Sequence, residues 1–171
     1  MADASKPMFL ETERLVIRPF RLADLDAYSR IVADPAVMRL LTGKAQTRGE
    51  ARLYIEECIT SERDNGYSRY AVSLRDTDEL IGFCGFRMIH DEIDFGWRYA
   101  KRHWNSGYGT EAARSVLKYG LEVLKLPLLV AVALPENTAS IRIMQKLGME
   151  RDGFGEWEGK QTIRYIYRNK A

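Results

Sequence analysis

The chain is poor in the residues that build metal sites and disulfide scaffolds: its 171 residues include two cysteines, Cys58 and Cys84, and two histidines, His90 and His103. The cysteines form no Cys-x-x-Cys or Cys/His cluster, so both read as reduced, buried apolar fillers. No His-Glu-x-x-His occurs either, and no metal is expected. Long hydrophobic runs are missing: the roughly 18 consecutive apolar residues of a membrane span occur nowhere. The start carries Asp3 and no signal-peptide core, so the expectation is a cytoplasmic protein with no membrane partner. A surplus of one charge is absent as well. Lys and Arg number 26 against 24 Asp and Glu, a net charge of +2, which leaves no dedicated nucleic-acid surface. Internal repeats, low-complexity tracts and linkers are also lacking. What remains is 46% hydrophobic and 29% charged, the make-up of one domain that buries roughly 70% of its unfolded surface. Residues 1–8 read as a flexible tail and 9–171 as a single domain.

Hydrophobic periodicity gives the order of elements. Leu15 to Phe20 reads as an edge strand stopped near Pro19. Asp24 opens a helix with Leu25, Tyr28, Ile31 and Val32 on one face, ended by Asp34-Pro35. A second helix starts at Thr47, turns Ala51, Tyr54, Ile55, Cys58 and Ile59 inward, and ends near Asn65-Gly66. A meander follows over Tyr70 to Leu74, Leu80 to Ile89 and, after a tight return at His90-Asp91, Ile93 to Tyr99. Gly107 to Leu124 is a helix and Leu128 to Leu134 a buried strand. Asn137 caps a helix closed by Gly148, and Glu150 to Trp157 pairs with Gln161 to Arg168 around Glu158-Gly159. The fold class is α/β (α+β): a mixed, mostly antiparallel sheet with flanking helices in the order β-α-α-β-β-β-α-β-α-β-β.

The chemistry concentrates where a strand meets a helix through Arg102-His103-Trp104-Asn105-Ser106-Gly107-Tyr108-Gly109-Thr110. A glycine turn that opens a helix aims several N–H groups outward, and the helix dipole adds positive character, so phosphate is the natural occupant. Lys101 and Arg102 offer charge to a further phosphate. Gly107-x-Gly109-x-x-Ala112 also fits a loose dinucleotide fingerprint, with Glu136 as its acidic residue, but the intervening polar segment and the preceding antiparallel meander disfavour it. No Gly-Lys-Ser/Thr follows, so a nucleotide-triphosphate P-loop fails.

On these residues the chain resembles the acyl-CoA-dependent N-acetyltransferases of the GNAT superfamily, whose pyrophosphate motif runs Gln/Arg-x-x-Gly-x-Gly/Ala. Trp104 takes its first position here and Gly107 and Gly109 its last two. Further stretches resemble the Rim-type branch, which acetylates ribosomal-protein N-termini: Thr12-Glu13-Arg14-Leu15-Val16-Ile17-Arg18-Pro19, Leu80-Ile81-Gly82-Phe83-Cys84-Gly85, and Asn137-Thr138-Ala139-Ser140 through Lys146-Leu147-Gly148-Met149. The resemblance implies a sheet splayed between the strands of Ile93 to Tyr99 and Leu128 to Leu134, with the pantetheine of acetyl-CoA in the opening. It implies cofactor contacts at Phe95, Trp97, Arg98, Arg102, Trp104, Asn105, Ser106, Gly107, Tyr108, Gly109, Thr110, Asn137 and Ser140. A bulge near Trp97 and Arg98 would aim an N–H at the thioester carbonyl. Ser140 becomes the acid for the departing thiolate, because the tyrosine that many members use falls on Met144. Glu156 roughly matches a proposed base, with Glu92 and Asp94 as other candidates.

The implied reaction is direct transfer of acetyl from acetyl-CoA, a co-substrate, to a primary amine in a ternary complex. The favoured acceptor is a protein N-terminus, whose α-amine deprotonates more readily than lysine. A polyamine, amino acid or antibiotic is the alternative acceptor, and a non-catalytic acyl-CoA-binding module the alternative class. The assembly is a monomer or a homodimer joined through the closing strands.

Overall fold

A computed structural model describes residues 8–170. Strands β1 (Leu10–Glu11) and β2 (Leu15–Pro19) are followed by helices α1 (Leu25–Val32), α2 (Pro35–Met38) and α3 (Arg48–Asn65). Then come β3 (Arg69–Leu74), β4 (Leu80–Ile89), β5 (Glu92–Tyr99), α4 (Tyr108–Glu122), β6 (Leu128–Ala133), α5 (Thr138–Lys146), β7 (Glu150–Trp157) and β8 (Lys160–Arg168). The predicted order holds, with a two-residue strand and a four-residue helix added. Pro35 ends α1, yet it also begins α2 as its first residue, with Asp34 accepting from the Ala36 N–H at 2.9 Å. Residues 1–7 of the expected tail lie outside the described residues. Met8 does not belong to a tail: it is buried in the core.

Local chemistry accounts for the boundaries. Thr47 and Glu50 form a reciprocal capping box at the start of α3, and Gly66 closes it at φ 75°. His90-Asp91 and Glu158-Gly159 turn their hairpins with both residues at positive φ. One inward assignment fails: Ile59 is exposed, because the buried stripe of α3 runs through Ala51, Ile55 and Cys58.

All eight strands join in the order β1-β2-β3-β4-β5-β6-β8-β7. Since β8 lies inside, only β7 of the closing hairpin remains a sheet edge at that end. Neighbours are antiparallel except β5 and β6, which run parallel and meet in register at one place, Asp94 opposite Val130. Beyond it the two strands part. A core containing Phe86, Phe95, Leu129 and Met144 fills the α4/α5 face, and another containing Tyr28, Ile55, Ala71 and Phe83 fills the α1–α3 face. The parting therefore joins the two faces through the sheet.

The expected bulge near Trp97 and Arg98 is absent. The β4/β5 register is unbroken from Ile89 opposite Glu92 to Gly82 opposite Tyr99. Gly82 permits this, because a Cβ there would lie 2.0 Å from the Arg98 carbonyl oxygen. The irregularities fall between β3 and β4, where the register jumps past Ile81, and between β7 and β8, where it shifts between Arg151 and Phe154.

Candidate active site

Along an antiparallel ladder successive residues turn their peptide groups to opposite sides. The Ala100 N–H donates to the Ile81 carbonyl at 2.8 Å, which sets the parity: Phe95, Trp97 and Tyr99 face away from β4, toward the parting. The Tyr99 carbonyl there accepts from the Trp104 indole at 2.9 Å. Trp97 thus presents its N–H to the opening without any bulge.

A cleft of about 350 Å³ occupies the α4/α5 side of the parting. One wall is the turn into α4, where Gly107 is the N-terminal cap at φ 81°, a conformation that favours glycine. Gly109 packs α4 against its neighbours, since a Cβ there would meet Ile143 at 2.9 Å and Tyr99 at 3.2 Å. The facing wall is α5, where the Asn137 side chain accepts from the Ser140 N–H at 3.3 Å. The Ser140 hydroxyl thus stays out of the cap that fixes its own turn.

Of the expected contacts, Trp97, Arg98, Trp104, Asn105, Gly107, Tyr108, Gly109, Thr110, Asn137 and Ser140 line this cleft. Phe95 lines a second cavity instead, of about 120 Å³, which continues through the parting and shares Trp97, Arg98, Asn137 and Ser140 with the first. Arg102 is not brought to either: a 3₁₀ turn over Lys101–His103 directs it to Glu79, where its Nε donates at 3.0 Å. Ser106 is exposed outside the lining, its carbonyl accepting from Arg14 at 2.9 Å. Nor does Glu156 reach the site. It is exposed and lies one residue from Trp157, which does line the second cavity, so the two-residue period of β7 turns Glu156 to the other face.

The other carboxylates are engaged. Glu92 accepts two bonds from Arg164, at 2.6 and 2.8 Å, and Asp94 is paired with Arg69.

Several contributors lay beyond the sequence reading. Arg142 and Lys146, rather than Lys101 and Arg102, bring cations to the cleft. With Ala139 and Ile143 they repeat at helical spacing along α5, the signal that would have revealed them. Arg14 and Thr12, noted only as a motif, brace the glycine turn. Glu111 in the first turn of α4 accepts from the Thr12 hydroxyl at 2.6 Å, the Arg14 N–H at 2.9 Å and the Arg14 Nε at 2.7 Å. Burial pushes the Glu111 carboxyl up, but these donors outweigh it and hold it below the usual range. The Arg14 guanidinium also lies 4.4 Å from the Tyr108 ring centre.

A sheet parted between one pair of parallel strands, with a helix-opening glycine turn on one side of the gap and a capped Asn/Ser helix on the other, defines an acyltransferase of GNAT architecture. The chain belongs to that family: residues 14–150 match the acetyltransferase (GNAT) domain. It is therefore an N-acetyltransferase, and the dinucleotide alternative falls. It is 34% identical to the uncharacterized N-acetyltransferase YnaD of Bacillus subtilis, over 86% of this chain and 85% of that one. A GNAT-family acetyltransferase from Bacillus anthracis superposes with a TM-score of 0.83 at 28% identity, over 96% of this chain and all of that one (100%). RimL, a ribosomal L7/L12 α-N-protein acetyltransferase in complex with coenzyme A, shares the fold with a TM-score of 0.80 at 14% identity, over 94% and 98% of the chains. Among the described residues no helix is long and apolar enough to cross a membrane.

Proposed function

We propose that the chain acetylates an α-amine, above all that of a protein N-terminus, by direct attack on acetyl-CoA in a ternary complex. One observation carries the choice of amine. The only carboxylate among the described residues lining the second cavity, Asp94, is tied to Arg69, so no free carboxylate base faces the acceptor. Tyr54, also on that cavity, is pushed up to about 12 by burial and stays protonated near neutrality. An α-amine with a pKa of about 7.7–8.0 gives up its proton to water; a lysine near 10.4 needs a base.

Bound acetyl-CoA supplies an activated thioester. The Gly107–Thr110 turn and the N-terminus of α4 hold its pyrophosphate, with Arg142 and Lys146 as flanking cations. The acceptor nitrogen attacks the thioester carbonyl carbon, and the Trp97 N–H stabilises the charge that develops on the oxygen. As the carbon–sulfur bond breaks, the Ser140 hydroxyl, half-buried where the two cavities meet, donates to the departing sulfur. The proton lost by the acceptor nitrogen passes through water and restores the Ser140 hydroxyl, so the products are the amide and free CoA thiol. Two free cysteines go with a reducing, cytoplasmic location. The narrowness of the second cavity favours a small α-amino compound as the second reading.

The test is release of free CoA from acetyl-CoA in the presence of N-terminal peptides, lysine peptides or polyamines. Release with the α-amine pool alone is expected. Release with lysine peptides alone overturns the assignment.

A further inference from the structure

We infer that the acceptor carries an anionic group, a carboxylate foremost, beside its reactive amine, and that Arg98 is its principal partner. The inference rests on the acetyl-transfer reading above and narrows its substrate class. Arg69, Arg87 and Arg98 come from the adjacent strands β3, β4 and β5, and all three line the second cavity. Asp94 is the one carboxylate there, and Arg69 holds it. Arg87 pairs with the exposed Glu57 at 3.0 Å and lies 5.8 Å from the Tyr54 ring centre. Arg98 makes no ion pair among the described residues. Its single hydrogen bond runs to the Tyr28 hydroxyl at 3.1 Å, and its guanidinium lies 5.2 Å from the Phe83 ring centre.

Orphaned polar atoms gather at the same place. The Nε atoms of Arg69 and Arg98 and the Thr162 hydroxyl are buried without partners, and Thr162 is 1% exposed. A half-buried guanidinium with no counter-charge is costly unless an anion completes it. Its planar fork suits a carboxylate. The unpaired charge of Arg98 disfavours a polyamine.

Two sources present this chemistry, a free α-amino acid and an N-terminal acidic residue. The experiment measures CoA release with two isosteric pairs: L-alanine against L-alaninamide, and Asp-Ala-Ala-amide against Asn-Ala-Ala-amide. Spermidine is the cationic control. With kcat/KM expressed per deprotonated amine, since a neighbouring carboxylate raises the amine's pKa, the anionic member of at least one pair is expected to exceed its neutral partner about tenfold or more, and the winning pair names the source. Arg98→Gln should reduce that ratio to near one, chiefly through KM, while acetyl-CoA affinity by calorimetry changes less than about threefold; Arg98→Lys should restore part of the ratio. Equal rates within both pairs, or a preference for spermidine, overturn the inference and leave acetyl transfer standing. A large loss of acetyl-CoA affinity in Arg98→Gln also overturns it, since Arg98 then serves the donor. If a protein that binds acetyl-CoA releases none with any amine, the proposed function fails. In that case, calorimetric titration of the CoA complex with L-alanine and L-alaninamide decides the anion question: selective binding of alanine upholds it and equal binding ends it.

Discussion

On the α4/α5 side of the parted sheet the cleft is framed by peptide groups, glycines and a capped helix end, contributed mainly by two stretches of chain. On the α1–α3 side the walls are side chains from α3, α5 and every strand from β3 to β8, with three arginines facing one carboxylate. Under the proposed function the first construction is built for a pyrophosphate and an amide-bearing arm, a design that suits any member using the same donor. The second depends on which side chains happen to converge, and the proposed function puts acceptor choice there.

The largest effect should come from replacing the backbone device. Gly107→Asp places a side chain at φ 81° with its Cβ 3.2 Å from the Arg14 guanidinium, and a negative charge where phosphate approaches. Acetyl-CoA affinity by calorimetry should fall about 100-fold or more in a protein whose circular dichroism shows it folded. Undiminished affinity would move the pyrophosphate site elsewhere. Ser140→Ala keeps the Asn137 cap, which uses the backbone N–H, so affinity should hold. Its single-turnover rate should drop about tenfold, because a thiol with a pKa of roughly 8.5 leaves without much help. An unchanged rate would remove Ser140 as the acid.

A smaller loss sharpens the contrast from the donor side. Arg14→Ala removes the brace on the Ser106 carbonyl and on Glu111, and should raise KM for acetyl-CoA about five- to tenfold with the acceptor KM unmoved. Glu111 adds a pH signature. Its folded pKa is lowered, so its contribution to stability is complete above the unfolded value of about 4.3 and disappears as pH falls through the lower folded value. The advantage in Tm of the wild type over Glu111→Gln should therefore shrink between about pH 5 and pH 3. An advantage constant across that window would break the account of the brace.

Sequence patterns located the glycine turn and the capped start of α5 because both features are local. Asn137, Gly107 and Gly148 each act within a few residues, and short-range spacing reveals them. Seven of the eight strands were legible from period-two patterns and from hairpins whose turns are written in His90-Asp91 and Glu158-Gly159, and the family resemblance implied the parting between β5 and β6; two-residue β1 and the inside place of β8 were not legible. What stayed hidden is non-local. Arg102 and Arg142 look alike as exposed cations, and only the 3₁₀ turn sends one to Glu79 while helical phase sends the other to the cleft. Glu156 and Trp157 are neighbours in sequence, and one step of pleat separates a surface carboxylate from a cavity wall. The convergence of Arg69, Arg87 and Arg98 depends on the register of three strands, which no single segment encodes.

The smallest expected effect tests whether the enzyme itself ever carries the acetyl group. Cys84 lies directly opposite Trp97 across the β4/β5 ladder, one strand from the N–H assigned to the thioester oxygen, so position alone would suit an acetyl-cysteine route. Its chemistry does not. Burial pushes the thiol up to about 12, which leaves about one molecule in 10⁵ as thiolate at pH 7, and the residue is fully enclosed. Cys58 is likewise pushed up to about 11 by burial. Iodoacetamide should leave the folded enzyme active, and Cys84→Ala should retain kcat within about twofold, at a stability cost of about 1 kcal/mol for the volume removed. A folded Cys84→Ala protein that binds acetyl-CoA but turns over a hundredfold more slowly would replace direct attack with a covalent step, and would place the chemistry on β4 instead of in the gap beside it.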